Sequence, residues 1–173
     1  MTMWVFGYGS LLWNPGFKAV ETVTATLSGY HRSFCMLSIH HRGSVEEPGL
    51  VLALDAGDAL CTGVAFRVAE PDEAFVLAEL RERELVSSAY EEAHLPLALR
   101  DGRKVQALAY VINRNHEQYC QLSLERQAQM IARSVGGRGP NTEYLYNTFE
   151  HLLKMGINDP DMAWLMNRVR AIT

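Results

Sequence analysis

Trp4-Val5-Phe6-Gly7-Tyr8-Gly9-Ser10-Leu11-Leu12-Trp13-Asn14-Pro15 is the stretch around which the chain is organised. Trp4, Val5 and Phe6 form an unbroken run of strand formers, which suits a strand covered on both faces. Gly7 and Gly9 then lift the steric limits on the backbone, and the residues after them read as one helical turn stopped by Pro15. A turn of this kind can present several N–H groups in succession to a carboxylate or an oxyanion. Glycine turns also follow first strands in domains where they bind nothing, so both readings stay open on the turn alone.

Outward from that turn the first half is rich in strands. Val20 to Ser38 is dominated by threonine, valine and aromatic residues, with Gly29 marking a bulge or bend. His40-His41-Arg42-Gly43-Ser44 reads as a polar loop. Leu50 to Leu54 and Cys61 to Val68 read as two apolar strands joined by the turn-forming group Asp55-Ala56-Gly57-Asp58. A helix opens at Pro71, with Asp72 and Glu73 at its positive end, and runs to about Leu85. Ala93 to Leu99 and Lys104 to Ile112 flank Asp101-Gly102, a hairpin signal. Three helices follow: one from Ser123 closed by Gly136-Gly137, one capped by Asn141 and closed by Gly156, and one from Asp159-Pro160. Gly136-Gly137-Arg138-Gly139-Pro140 reads either as a lid or as a plain helix connection. Strands first and helices gathered last predict an α+β fold with a small mixed, mostly antiparallel sheet or barrel flanked by helices.

Composition narrows the function. The 173 residues are 48% hydrophobic, enough for one domain over 1–173 with a buried core. The formal charge is -4 without a basic stripe, which argues against nucleic acid. No apolar run reaches membrane-span length, and the chain opens into a strand without the pattern of a signal peptide. Cys35, Cys61 and Cys120 form no C-x-x-C pair, which suits reduced thiols and a cytoplasmic setting. His31, His40 and His41 show no metal-ligand spacing. The glycine turn lacks the third glycine of a dinucleotide fingerprint, the Lys-Ser/Thr of a P-loop and the spacing of a nucleophile elbow.

One acidic residue breaks a pattern. Val76, Leu80 and position 84 share an i,i+4 row of the helix after Pro71, and Leu77 and Leu80 share its apolar face. Position 84 is a glutamate, whereas Glu79 and Glu82 fall well around the helix and face water. Desolvating a charge without a partner is costly. Two readings of Glu84 follow: a core-edge carboxylate paired with an arginine such as Arg32 or capped by hydroxyls near the helix end, or a general base whose pKa burial raises from about 4.3.

Several motifs together resemble one family. Val5-Phe6-Gly7-Tyr8-Gly9-Ser10-Leu11 with Trp13 and Pro15 resembles the opening signature of the ChaC-type γ-glutamylcyclotransferases. Gly29-Tyr30-His31-Arg32-Ser33-Phe34 is similar to that family's G-Y-x-R-x-F strand, and His41-Arg42-Gly43 to its H-R-G loop. Arg83-Glu84 followed by Tyr90 resembles its R-E-x5-Y segment, while Ala109-Tyr110-Val111 and Asn141-Thr142-Glu143-Tyr144-Leu145 match later positions in order. Ser87-Ser88-Ala89 stands where many members carry glycines.

The resemblance implies a γ-glutamylcyclotransferase-like fold and an enzyme that cyclises the γ-glutamyl group of glutathione to 5-oxoproline, releasing cysteinylglycine. It implies Glu84 as catalytic base, and Val5, Phe6, Gly7, Tyr8, Gly9, Ser10, Leu11, Arg32, Tyr110 and Tyr144 as substrate-binding residues. Arg42 is a further candidate for pairing with a substrate carboxylate. The expected partner is a small molecule, with no cofactor and no metal, because the attacking amine is already tethered to its target. Alternatives are a cyclotransferase for other γ-glutamyl amino acids or amines, and a catalytically idle module that binds γ-glutamyl ligands.

Overall fold

Strand β1 (Met3–Gly7) is paired on both sides. It runs antiparallel to β3 (Gly49–Val68), with Met3 opposite Val68 and Gly7 opposite Val64. It runs parallel to β5 (Lys104–Ile112) through Trp4–Ala107 and Val5–Leu108. A strand bonded on both edges and covered on both faces explains the continuous apolar run, and Trp4 to Phe6 are buried. With β2 (Glu21–Ser38) and β4 (Tyr90–Leu99) the strands close a barrel in the order β1-β3-β2-β4-β5, with a further β3–β5 pairing. The fold is the expected α+β arrangement, a mixed and mostly antiparallel barrel accompanied by helices. The structure is a computed structural model that describes residues 3–85 and 88–173; Ser87, one of the positions where family members carry glycine, lies outside them.

The residues group into two units, one formed by the chain up to Ser33 with Ala53–His116, the other by Phe34–Leu52 with Glu117–Thr173. Strands β1, β4 and β5, the parts of β2 up to Ser33 and of β3 from Ala53, and α1 (Glu73–Glu84) belong to the first. A 3-10 turn at Glu70–Asp72 leads into α1 with Pro71 in its first turn. Val76 and Leu80 are the buried residues of α1, while Phe75, Glu79 and Glu82 are exposed. The β4–β5 hairpin pairs from Tyr90–Ile112 to Ala98–Lys104, and Gly102 turns it at φ +95°.

The expected turn at Asp55–Asp58 is not there: β3 continues through it as one 20-residue strand. The side chain of Asp55 is drawn inward and accepts from Arg114 Nε at 2.7 Å, and Arg114 Nη2 donates to the Ala56 carbonyl at 2.5 Å. A partner 59 positions away overrides the local turn preference of Asp and Gly.

The second unit holds α2 (Leu124–Arg133), the short hairpin β6 (Val135–Gly136) and β7 (Gly139–Pro140), α3 (Asn141–Lys154) and α4 (Pro160–Ile172). Ser123 caps α2 by accepting from Arg126 N–H, and Asp159 caps α4 by accepting from Met162 N–H. Asn141 does not cap α3. It is fully buried, and its Oδ1 accepts from Leu50 N–H while Nδ2 donates to Leu50 C=O, both at 2.8 Å. The amide group pairs with β3 as a neighbouring strand would. The glycines at 136 and 137 form an anchored connection: Gly137 N–H donates to His40 C=O at 2.7 Å and Arg138 N–H to His41 C=O at 2.9 Å. A side chain at Gly136 would run into the main chain of His41 to Gly43.

Candidate active site

The glycine turn is locked by its neighbours before any ligand is considered. Gly7 is required for space: an added Cβ would lie 2.7 Å from Cε2 of Phe66. Beyond it, Ser10–Leu12 forms one 3-10 turn, whose first N–H groups have no acceptor within the turn. Tyr8, Gly9, Leu11 and Leu12 are buried and Ser10 is half-buried. Val5 and Phe6 lie in the barrel wall with buried side chains and support the turn from below. Arg32, also buried, donates from Nε to the Tyr8 carbonyl at 2.7 Å and from Nη2 to the Thr62 carbonyl. It fixes the turn through main-chain oxygens.

Glu84 closes α1 at the end of the buried Val76–Leu80 row, with its side chain 15% exposed. Arg83 beside it carries three contacts. Nη2 donates to Ser10 Oγ at 3.0 Å, Nη1 donates to Asn14 C=O at 2.6 Å, and Nε lies 3.4 Å from Glu84 Oε1. Turn and carboxylate therefore meet through one guanidinium.

A second acidic group stands across the barrel strands. Tyr110 is buried; its Oη donates to Glu92 Oε1 at 3.1 Å, and its carbonyl accepts from Tyr8 Oη at 3.1 Å. Arg81 holds both oxygens of Glu92, Nε to Oε1 at 3.0 Å and Nη2 to Oε2 at 2.9 Å. Burial first, then the hydrogen bond and charge of Glu92 and the charge of Glu84, push the Tyr110 hydroxyl well above its ordinary range, against the pull of Arg81. It is a neutral donor at any working pH. The hydrogen bond from Arg81, helped by that from Tyr110, holds Glu92 below the usual carboxylate range despite its desolvation.

Gly7 to Leu11, Arg32, Glu84 and Tyr110 thus share the first unit. Tyr144 and Arg42 belong to the second. Tyr144 Oη accepts from Leu52 N–H at 3.1 Å and its ring meets Phe34 edge-on at 6.0 Å. Arg42 donates to Pro140 C=O at 3.0 Å and to Glu143 at 3.3 Å, and its guanidinium lies 5.8 Å from the Tyr144 ring centroid. Arg81 and Glu92 were not singled out from the sequence, and Arg83 appeared there only as part of the R-E motif. A usable signal for Glu92 existed: register counted back from the Asp101-Gly102 hairpin sets it directly opposite Tyr110.

A closed barrel of this order with an acidic helix end beside a glycine turn is a γ-glutamylcyclotransferase fold. The crystal structure of a yeast γ-glutamyl cyclotransferase specific to glutathione superposes with a TM-score of 0.88, covering 98% of this chain and 96% of that one at 22% identity, a likeness of fold. The family model described as ChaC-like protein matches residues 3–172. The glutathione-specific γ-glutamylcyclotransferase of Escherichia coli (strain K12) is 36% identical over 171 residues, spanning 98% of this chain and 74% of that protein. The human glutathione-specific γ-glutamylcyclotransferase 1 is 34% identical over 173 residues, spanning 96% and 78%. The chain belongs to the ChaC-like family. Among the described residues, no helix is long and apolar enough to cross a membrane.

Proposed function

We propose that the protein cyclises the γ-glutamyl group of glutathione, forming 5-oxoproline and releasing cysteinylglycine. The observation that carries this reading is the meeting of Glu84 and the glycine turn through Arg83 within one unit. Glu84 takes a proton from the substrate α-ammonium, and the amine attacks the γ-carbonyl carbon. The tetrahedral oxyanion is held by N–H groups of the turn between Tyr8 and Leu11, with the Ser10 hydroxyl binding and not attacking. Collapse breaks the carbon–nitrogen amide bond as Glu84 returns its proton to the leaving nitrogen, and the ring nitrogen gives up its second proton to solvent to become the lactam N–H. Ring closure is intramolecular, so holding the folded substrate supplies much of the rate.

Tyr110 orients the substrate by accepting at its neutral hydroxyl oxygen, whose proton points to Glu92, and Arg32 fixes the turn through the Tyr8 carbonyl. Tyr144 enters as a support of Leu52. The match of the family model over residues 3–172 supports treating both units as one catalytic domain. A cytoplasmic setting accords with the substrate and with the buried or half-buried thiols of Cys35, Cys61 and Cys120.

The test is to incubate the purified protein with glutathione and, separately, with a γ-glutamyl dipeptide, and to measure 5-oxoproline. Release from glutathione alone supports the reading, release from the dipeptide alone moves the specificity elsewhere, and release from neither sinks it. Glu84→Gln is expected to lower kcat about 10²- to 10⁴-fold with an unchanged melting temperature. Undiminished turnover would remove Glu84 from its role.

A further inference from the structure

Arg83 touches both halves of the proposed machinery, and its chemistry suits that task. A guanidinium carries five donors in a rigid plane, so it can satisfy acceptors in different directions at once. Here those acceptors are the Ser10 hydroxyl, the Asn14 carbonyl and the Glu84 carboxylate. The first two bracket the 3-10 turn and its exit, and the third is the residue next along the helix. The chain then bends at Gly16, whose φ of +77° carries it past the guanidinium, with Arg83 Nη1 3.7 Å from where a Cβ would stand. Arg83 itself is only 20% exposed, so water competes weakly for its donors.

We infer that Arg83 is a positioning residue for the proposed cyclisation, setting the distance and angle between the substrate-holding turn and the Glu84 carboxylate. This rests on the reading of Glu84 and the turn given above. Without Arg83, α1 still has its buried Val76 and Leu80 to seat it, and the turn still has Arg32 on the Tyr8 carbonyl. What is lost is the coupling between them. A lysine restores one positive charge but not the planar fork, and its single ammonium cannot reproduce three divergent contacts.

The experiment measures 5-oxoproline release from glutathione by wild type, Arg83→Gln, Arg83→Lys and Ser10→Ala, together with the double variant Ser10→Ala/Arg83→Gln. Misplacing a reacting group by about 1 Å can cost about 10²-fold in rate. Arg83→Gln is therefore expected to lose about 10²-fold in kcat/KM, with kcat falling as well as KM rising. Arg83→Lys is expected to recover less than a tenth of that loss. Because Arg83 acts partly through Ser10, the serine substitution should cost clearly less in the Arg83→Gln background than in wild type. Melting temperatures identify any variant that has lost its fold, and Arg83→Lys stands in if Arg83→Gln does.

Folded Arg83 variants within about threefold of wild type, full rescue by lysine, or strictly additive effects with Ser10→Ala would each overturn the inference while leaving the proposed function standing. An inactive wild type would overturn both.

Discussion

Tyr110 Oη and Glu92 Oε1 lie 3.1 Å apart across directly paired positions of β4 and β5, with the hydroxyl donating. Arg81 occupies both oxygens of the same carboxylate. The phenol is therefore fixed in direction and kept neutral, while the charge of Glu84 is felt at its hydroxyl. A group held in this way can orient a substrate without exchanging a proton with it. Tyr110→Phe should lower kcat/KM for 5-oxoproline release about 5-fold, the scale of one hydrogen bond of about 1 kcal/mol. Wild-type kinetics in a folded Tyr110→Phe variant would show that the hydroxyl serves the barrel and not the reaction.

The same network makes a pH prediction of definite sign. The hydrogen bond from Arg81 is the main cause of Glu92's lowered pKa. A carboxylate whose folded pKa is depressed stabilises fully above its unfolded value, about 4.3, and loses that contribution as pH falls through its folded pKa. Glu92→Gln should thus be less stable than wild type near pH 6, with the gap closing as pH approaches 3. Urea midpoints measured across that range check this, and two parallel curves would contradict it. The Arg81 side chain is 53% exposed, so the gap is expected to be small and to shrink in high salt.

Glycines in β3 separate close packing from mere presence in a strand. A Cβ on Gly63 would run into the carbonyl oxygen of Gly7 and come within 3.0 Å of the Phe6 ring, whereas a Cβ on Gly57 meets nothing within 4 Å. Gly63→Ala should cost about 1–3 kcal/mol, as overpacking of a tight interior does. It should also impair turnover, because the displaced oxygen leads directly into the turn. Gly57→Ala should be within about 0.5 kcal/mol of wild type. Chemical denaturation of the pair decides it, and equal stabilities would mean that β1 and β3 give way more readily than their spacing implies.

These relationships show where sequence reasoning reaches and where it stops. The Val76–Leu80–Glu84 row is legible because helical periodicity is local. So are the Asp101-Gly102 hairpin and the caps at Ser123 and Asp159, each set by side chains within a few residues of the groups they serve. The family motifs add an order that periodicity alone cannot supply. Arg83's grip on Ser10 spans 73 positions and Arg114's grip on Asp55 spans 59. No window of sequence contains such a pair. Arg32 is a further case: its Nε and Nη2 donate to the Tyr8 and Thr62 carbonyls, acceptors whose location depends on the closed barrel.

Asn141 offers the sharpest test of a local rule overruled by tertiary structure. Its position before an apolar helix reads as a cap, and aspartate is as good a cap as asparagine. In the folded chain its amide instead accepts from Leu50 N–H and donates to Leu50 C=O, with the whole residue buried. Only a side chain with both an acceptor and a donor can do this. Asn141→Ala should leave both main-chain groups of Leu50 without these partners and cost about 2–6 kcal/mol, at roughly 1–3 for each buried group. Asn141→Asp discriminates between the two roles. It keeps the acceptor but turns a carboxylate oxygen toward the Leu50 carbonyl, so it should destabilise by at least as much as alanine. A capping role predicts near-neutrality for the same change. Urea denaturation of the two variants distinguishes them, and an Asn141→Asp variant as stable as wild type would show that the pairing with Leu50 contributes little.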